Sequence, residues 1–210
     1  MALEIITLVN VPISSNCYIL YDRTINNRCV IVDPSDFEVS GLGTTLLMNE
    51  FVPEYIILTH EHFDHILGCK MLLDNYLVKV IASRQCIYYV KDTKKNLSLF
   101  NEPPGFAIEI KDYAYVEDCE NLNWNGHIFD FYLTPGHTEA SITAKIGNFV
   151  FTGDSLIYKR KTVTKLPTGS KLQLKETFKL YETLKKRSMI IYPGHGEIFH
   201  LDDYDISDSL

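Results

Sequence analysis

No CxxC pair occurs in this chain, no apolar stretch approaches the length of a membrane span, and basic residues are outnumbered by acidic ones. Each shortage excludes something. The five cysteines, Cys17, Cys29, Cys69, Cys86 and Cys119, are odd in number and scattered. That pattern argues against a disulfide framework and for reduced thiols used as small core hydrophobes. A bilayer span needs roughly 20 consecutive apolar residues, and the start, MALEIITLVNVPISSNCYIL, shows no basic leader ahead of an apolar stretch. The expectation is a soluble, cytoplasmic protein with no membrane partner. With 20 Lys and Arg against 27 Asp and Glu, the net charge is −7, so a broad electrostatic footprint for nucleic acid or an anionic membrane is absent. A small-molecule substrate fits better, and oligomeric state leaves no trace in the sequence.

Also missing is any internal repeat, low-complexity tract or Pro/Gly-rich linker. The 210 residues, 46% of them hydrophobic, are expected to form one domain over 1–210 with an ample core. Strands are expected at EIITLVN, then at CYILYD and CVIVDPS as a hairpin across the polar RTINNR. A helix follows around Val39 to Glu50. EYIILT is short, apolar and β-prone, and DHILGCKMLLDNY repeats its apolar residues at helical spacing, so a strand, a loop and one helix should follow in that order. VKVIAS and RQCIYYVKD repeat strand then helix, and TKKNLSLFNEPPGF reads as a long loop. Strands return at DYAYVE, HIFDFYLT, SITAKIG and NFVFTG, with a helix from Lys171 to Lys186 and a last strand at MIIYPG. Strands with helices interspersed imply an α/β fold.

The chain is rich in one thing, metal-capable side chains at strand ends. THEHFDHILG places His60, His62, Asp64 and His65 within six consecutive residues after an apolar strand. The helical zinc-protease motif needs a second His four positions after the first, and Asp64 stands there. Instead, His60, His62 and Asp64 alternate, which suits an extended or looped segment projecting them to one side, with His65 turned to a second centre. Further candidates follow other apolar runs in Gly-flanked turns: His137 in TPGHT, Asp154 in FTGDS and His195 in YPGHG. A neighbouring glycine allows the tight turn that aims such a side chain. Five histidines and two aspartates overfill one tetrahedral ion but suit a pair of ions bridged by one carboxylate, naturally Asp154. Zinc, iron and manganese all accept imidazole and carboxylate ligands. Water held between two divalent ions becomes a nucleophile near neutral pH, and no Ser or Cys nucleophile is required. His127 and His200 lack comparable context.

THEHFDH, PGHT, TGD and PGHG, in that order, resemble the metallo-β-lactamase superfamily, most closely its hydroxyacylglutathione hydrolase (glyoxalase II-like) branch. The resemblance runs from the first strands to about Phe199. It implies a four-layer αββα sandwich with two divalent metal ions, most simply zinc, at one edge between the sheets. His60, His62 and His137 would hold the first ion, Asp64, His65 and His195 the second, and Asp154 would bridge. Asp64 would also take the proton released when the tetrahedral intermediate collapses. The implied reaction is hydrolysis of a thioester or ester by metal-bound hydroxide; a lactonase, with Tyr158 as a carbonyl donor, and an iron-dependent persulfide dioxygenase are the alternatives. True zinc β-lactamases of the common class match less well, having Arg at the position of His65 and Cys near that of Asp154. Glyoxalase II carries a glutathione-holding helical extension past its GHG motif, where about a dozen residues follow Glu197 here. Its Gly-Arg-x-Asp element is replaced by SLIYKRKTVTKLPTGSK, whose Lys159, Arg160, Lys161 and Lys165 would meet an anionic substrate group or be a solvated loop. Leu97, Leu99, Phe100 and Phe106 line a substrate or pack their own loop down.

Overall fold

The computed structural model describes residues 2–117 and 120–210, so Cys119 lies outside the described residues. The chain divides into two compact units, Met1–Tyr115 and Val116–Leu210, and each holds one six-stranded sheet.

The first unit runs β1 (Glu4–Asn10), β2 (Ser15–Tyr21), β3 (Arg28–Val32), α1 (Leu42–Met48), β4 (Val52–Ile57), α2 (Phe63–Ile66), α3 (Cys69–Asn75), β5 (Lys79–Ala82), α4 (Arg84–Tyr89), α5 (Ser98–Asn101) and β6 (Tyr113–Tyr115). Its strands lie in chain order. The first two pairings are antiparallel and the next three parallel; the parallel ones need crossovers, which the helices supply. Strand β2 is buried at every position, which is why SNCYILY shows no polar alternation. Pro53 would delete a ladder bond, and it sits where the β3–β4 register shifts, a bulge that tolerates it.

The helix expected over DHILGCKMLLDNY is divided into α2 and α3. Leu67 and Gly68 keep right-handed helical angles, but the Gly68 N–H donates to the Pro34 carbonyl at 2.7 Å. A Cβ on Gly68 would stand 2.5 Å from the Ser35 carbonyl oxygen, so only glycine lets the chain pass here. The TKKNLSLFNEPPGF loop contains one short helical turn, α5.

The second unit runs β7 (Asn121–Trp124), β8 (His127–Leu133), β9 (Ile142–Ile146), β10 (Phe149–Gly153), α6 (Lys171–Lys185), β11 (Ile190–Pro193) and β12 (Phe199–His200), then 3-10 turns at Leu201–Asp203 and Ile206–Ser209. Pairing is antiparallel from β7 through β10, parallel for β10–β11 across α6, and antiparallel for β11–β12. Helix α6 is capped by the Ser170 side chain, which accepts from the Gln173 N–H. It buries Leu174, Thr177, Phe178, Tyr181 and Leu184, a stripe at spacings of three and four. Those apolar side chains pack with Val150, Leu156, Ile191, Phe199, Leu201 and Ile206 in one core. The last residues are thus core, not appendage; the Lys185 ammonium also donates to the Tyr204 carbonyl at 2.6 Å.

Mixed sheets with helical crossovers are the α/β architecture expected. Among the described residues no helix is long and apolar enough to cross a membrane. Cys17, Cys29, Cys69 and Cys86 are buried and in no disulfide.

Candidate metal centre

In the first unit the ligand loop leaves the C-terminal end of β4, where open parallel sheets present their chemistry. The neighbouring strand β3 ends there too, and the Asp33 N–H continues the ladder to the Ile57 carbonyl at 2.9 Å. Asp33 is 2% exposed, and its carboxylate is fully engaged. One oxygen accepts the Thr59 N–H at 2.7 Å, and the other accepts the Thr59 hydroxyl at 2.6 Å and lies 3.1 Å from His65 Nδ1. Thr59 Oγ1 is also 3.0 Å from His60 Nδ1.

These contacts determine tautomers. A carboxylate only accepts, so His65 carries its proton on Nδ1. The single Thr59 hydroxyl hydrogen goes to Asp33, so Thr59 accepts from His60, whose proton is likewise on Nδ1. Both rings therefore present the Nε2 electron pair, the state a metal ligand needs. Asp33, His60 and His65 offer donor atoms within 4.8 Å of one another, but Asp33 is occupied in holding the other two, so it orients ligands and is not itself one.

His60, His62, Asp64 and His65 are all buried and brought together. The His60 ring lies 4.7 Å from that of His62 and 4.3 Å from that of His65. The alternating, extended course expected for the loop holds only as far as His62, which has extended angles. At Phe63 the chain turns into α2, whose first turn carries Asp64 and His65. The Phe63 N–H is fastened to the Asn96 carbonyl at 2.8 Å, and the Ser15 hydroxyl donates to the Asp64 carbonyl at 2.8 Å.

In the second unit His137, Asp154 and His195 follow β8, β10 and β11. Gly136 has φ +149°, and a Cβ there would stand 2.6 Å from Leu174 Cα, so glycine alone lets the His137 loop press against α6. His137 Nδ1 donates to the Val163 carbonyl at 2.8 Å, which again leaves Nε2 as the electron-pair donor. The turns carrying Asp154 and His195 are tied together by the Gly194 N–H on the Gly153 carbonyl at 2.8 Å. One oxygen of Asp154, Oδ2, faces both His137 Nε2 at 3.7 Å and His195 Nε2 at 3.6 Å.

The donor set fits a divalent cation. In the first unit His65 Nε2 lies 3.4 Å from Asp64 Oδ2, an electron pair facing an anionic oxygen. Only a proton or a metal ion makes such a contact favourable, and protonating rings 4.3 Å apart would set like charges side by side in a buried loop. Zinc bonds of about 2.0–2.1 Å to nitrogen and oxygen at a tetrahedral angle would separate the two atoms by about 3.3 Å, close to the distances found in both units.

Other expectations fare variously. Tyr158 packs against Phe199 and Tyr204, with ring centroids 5.0 and 5.4 Å away, so its packing role is plain. Lys159, Arg160, Lys161 and Lys165 are exposed, but their loop contains Val163, whose carbonyl holds His137. Phe100 is 69% exposed, whereas Leu97, Leu99 and Phe106 are half-buried. Sequence reasoning missed Asp33, Thr59, Asn96 and Val163. A lone Asp directly after an apolar strand was the one available signal for Asp33; Val163 acts through its backbone and left none.

The metallo-β-lactamase superfamily model matches residues 10–195. A probable metallo-hydrolase of Methanocaldococcus jannaschii is 30% identical over 195 residues, covering 88% of this chain and 89% of that one. A hydroxyacylglutathione hydrolase of Klebsiella pneumoniae is 26% identical over 209 residues, covering 96% and 74%. The solved structure of the BLEG-1 B3 metallo-β-lactamase matches with a TM-score of 0.82 at 25% identity, over 95% of both chains. The matched span includes every candidate ligand in both units, and the chain belongs to the metallo-β-lactamase superfamily, with the α/β fold of that type.

Proposed function

We propose that residues 1–210 act as a single binuclear metal-dependent hydrolase domain that cleaves a thioester or ester. The observation that carries this reading is the preparation of the ligands: His60, His65 and His137 are held with Nε2 as electron-pair donor, and Asp154 Oδ2 faces two histidines at once. His60, His62 and His137 would hold one ion and Asp64, His65 and His195 the other, with the Asp154 carboxylate available to both. When bound, the ions acidify a water and polarise the substrate carbonyl. The remaining steps belong to the chain. Asp64 accepts the proton released as the leaving group departs, and its position is set by the Ser15 hydroxyl on its carbonyl. Asp33 and Thr59 keep His60 and His65 in register throughout.

The similarity to a hydroxyacylglutathione hydrolase favours a thioester, and a donor set of imidazoles and carboxylates suits zinc. The exposed charges of Lys161 and Lys165, either side of Val163, favour an anionic substrate. Buried thiols outside any disulfide fit a reducing cytoplasm. The test is hydrolysis of a panel of thioesters, esters and lactones before and after chelation, with metal analysis of the purified protein. Thioester cleavage that disappears on chelation and returns with zinc is expected; undiminished cleavage after chelation would refute the proposal. The likeness to a B3 metallo-β-lactamase favours one second reading, β-lactam hydrolysis, and a cephalosporin in the same panel separates the two.

A further inference from the structure

We propose that Tyr181 is a positioning residue for the metal centre: its phenol, through a chain of buried hydroxyls, fixes the spacing of the turns that carry His137 and Asp154. The inference rests on the metal-binding reading above and names a device within it, seated in a helix that bears none of the ligands.

Tyr181 is fully buried on α6. Its hydroxyl lies 2.8 Å from Thr143 Oγ1 on β9, and Thr143 Oγ1 lies 3.0 Å from Thr134 Oγ1. Thr134 directly follows β8 and leads through Pro135 and Gly136 to His137. From the other side the Ser155 hydroxyl, next to Asp154, donates to the Thr134 carbonyl at 3.2 Å. One helical turn earlier, the Thr177 hydroxyl donates to the Pro135 carbonyl at 2.7 Å. These bonds therefore reach both ligand turns, at Ser155 beside Asp154 and at Thr134 and Pro135 shortly before His137.

Thr134, Thr143, Ser155 and Tyr181 are each 0% exposed. Burying four hydroxyls gains less than burying Val, Ala and Phe of the same shape, because each must be satisfied in place. Packing alone therefore does not account for hydroxyls at these positions. What they add is direction: a methyl tolerates sliding, whereas a relay of bonds near 3 Å fixes how far the His137 turn stands from Asp154. The 3.7 Å between His137 Nε2 and Asp154 Oδ2 is the distance so held.

The experiment titrates the full-length protein with zinc against a chromophoric chelator, with thermal melting in parallel. Tyr181→Phe removes the hydroxyl and keeps the ring. Removal of outer groups that orient metal ligands typically weakens binding 10–100-fold; at one further remove, about 10-fold weaker binding of at least one zinc is expected. Thr143→Val cuts the relay at its next link and should weaken zinc to a similar extent, while Thr143→Ser, which keeps the hydroxyl, should bind as the wild type does. Leu184→Ala, on the same helix, supplies a destabilised control that retains zinc affinity. Wild-type affinity in folded Tyr181→Phe, or an equal loss of affinity in Leu184→Ala, would overturn the inference. No substrate enters the measurement, so an error in the proposed reaction leaves it standing; failure of the wild type to bind zinc would sink the metal reading itself.

Discussion

The two units provide metal ligands in opposite ways. The first packs His60, His62, Asp64 and His65 into six consecutive residues and orients two of them, His60 and His65, with side chains, Thr59 and Asp33. The second draws His137, Asp154 and His195 from three strand ends; a backbone carbonyl, that of Val163, orients His137, and the Gly194 N–H on the Gly153 carbonyl ties the other two turns, with the buried hydroxyls behind them. A local set is easy to specify but needs a dedicated carboxylate beneath it. A dispersed set uses the sheet as its template, and its weak points are glycines.

The largest effects ignore this difference. His62→Ala in the first unit and Asp154→Ala in the second should each reduce metal-dependent hydrolysis to background, read as kcat/KM. The comparison sharpens one step outward. Asp33→Asn leaves the His65 Nδ1–H facing an amide and should lower zinc affinity about 10–100-fold. Val163→Ala, whose native side chain is 51% exposed, should leave affinity unchanged because the holding atom is a carbonyl. Equal losses in the two variants would mean that the two units hold their ligands alike.

Glycine substitutions reverse the emphasis. Gly136→Ala meets both a positive φ and Leu174 Cα at 2.6 Å, and should lower stability by about 1–3 kcal/mol, visible in urea denaturation. Gly147→Ala, where φ is +58° but nothing lies within 4 Å, should lose only about 1 kcal/mol.

Alkali should weaken both units. Burial pushes the Tyr181 phenol and the Cys29 thiol each up to about 12, whereas in an unfolded chain they ionise near about 10 and 8.5. Above those lower values the unfolded chain sheds protons that the folded chain retains, so stability intact at pH 8 falls as the pH rises toward 12. Tyr181→Phe should flatten that fall, measured by urea denaturation at pH 8 and pH 10.5. The smallest effect expected is in the basic loop. Arg160→Glu with Lys161→Glu should raise KM several-fold for an anionic thioester, and an unchanged KM would make the loop merely solvated.

How much was legible in the sequence follows the same divide. The crowded loop announced itself, and Gly-flanked His137, Asp154 and His195 followed once partners were sought after apolar runs. Strand β7 was not legible because NLNW alternates two asparagines with its apolar residues, and β12 has only two residues. The break between α2 and α3 could not be seen because Gly68 yields to a carbonyl contributed by distant Pro34. Asp33 escaped for a related reason: its meaning lies in Thr59 and His65, many residues away, and only parallel pairing of β3 with β4 brings them together.

The four cysteines of the first unit have a use of a different kind. Burial raises the pKa of Cys17, Cys29, Cys69 and Cys86 alike and leaves none of them exposed, and the thiolate is the reactive form, so the folded unit is expected to resist thiol reagents. In a Cys119→Ser background every labelling event then marks an opening of the first unit, because the second holds no other cysteine. Labelling rates with and without zinc would time how often the strands at Cys17 and Cys29 and the helices at Cys69 and Cys86 open, and how far an ion slows it.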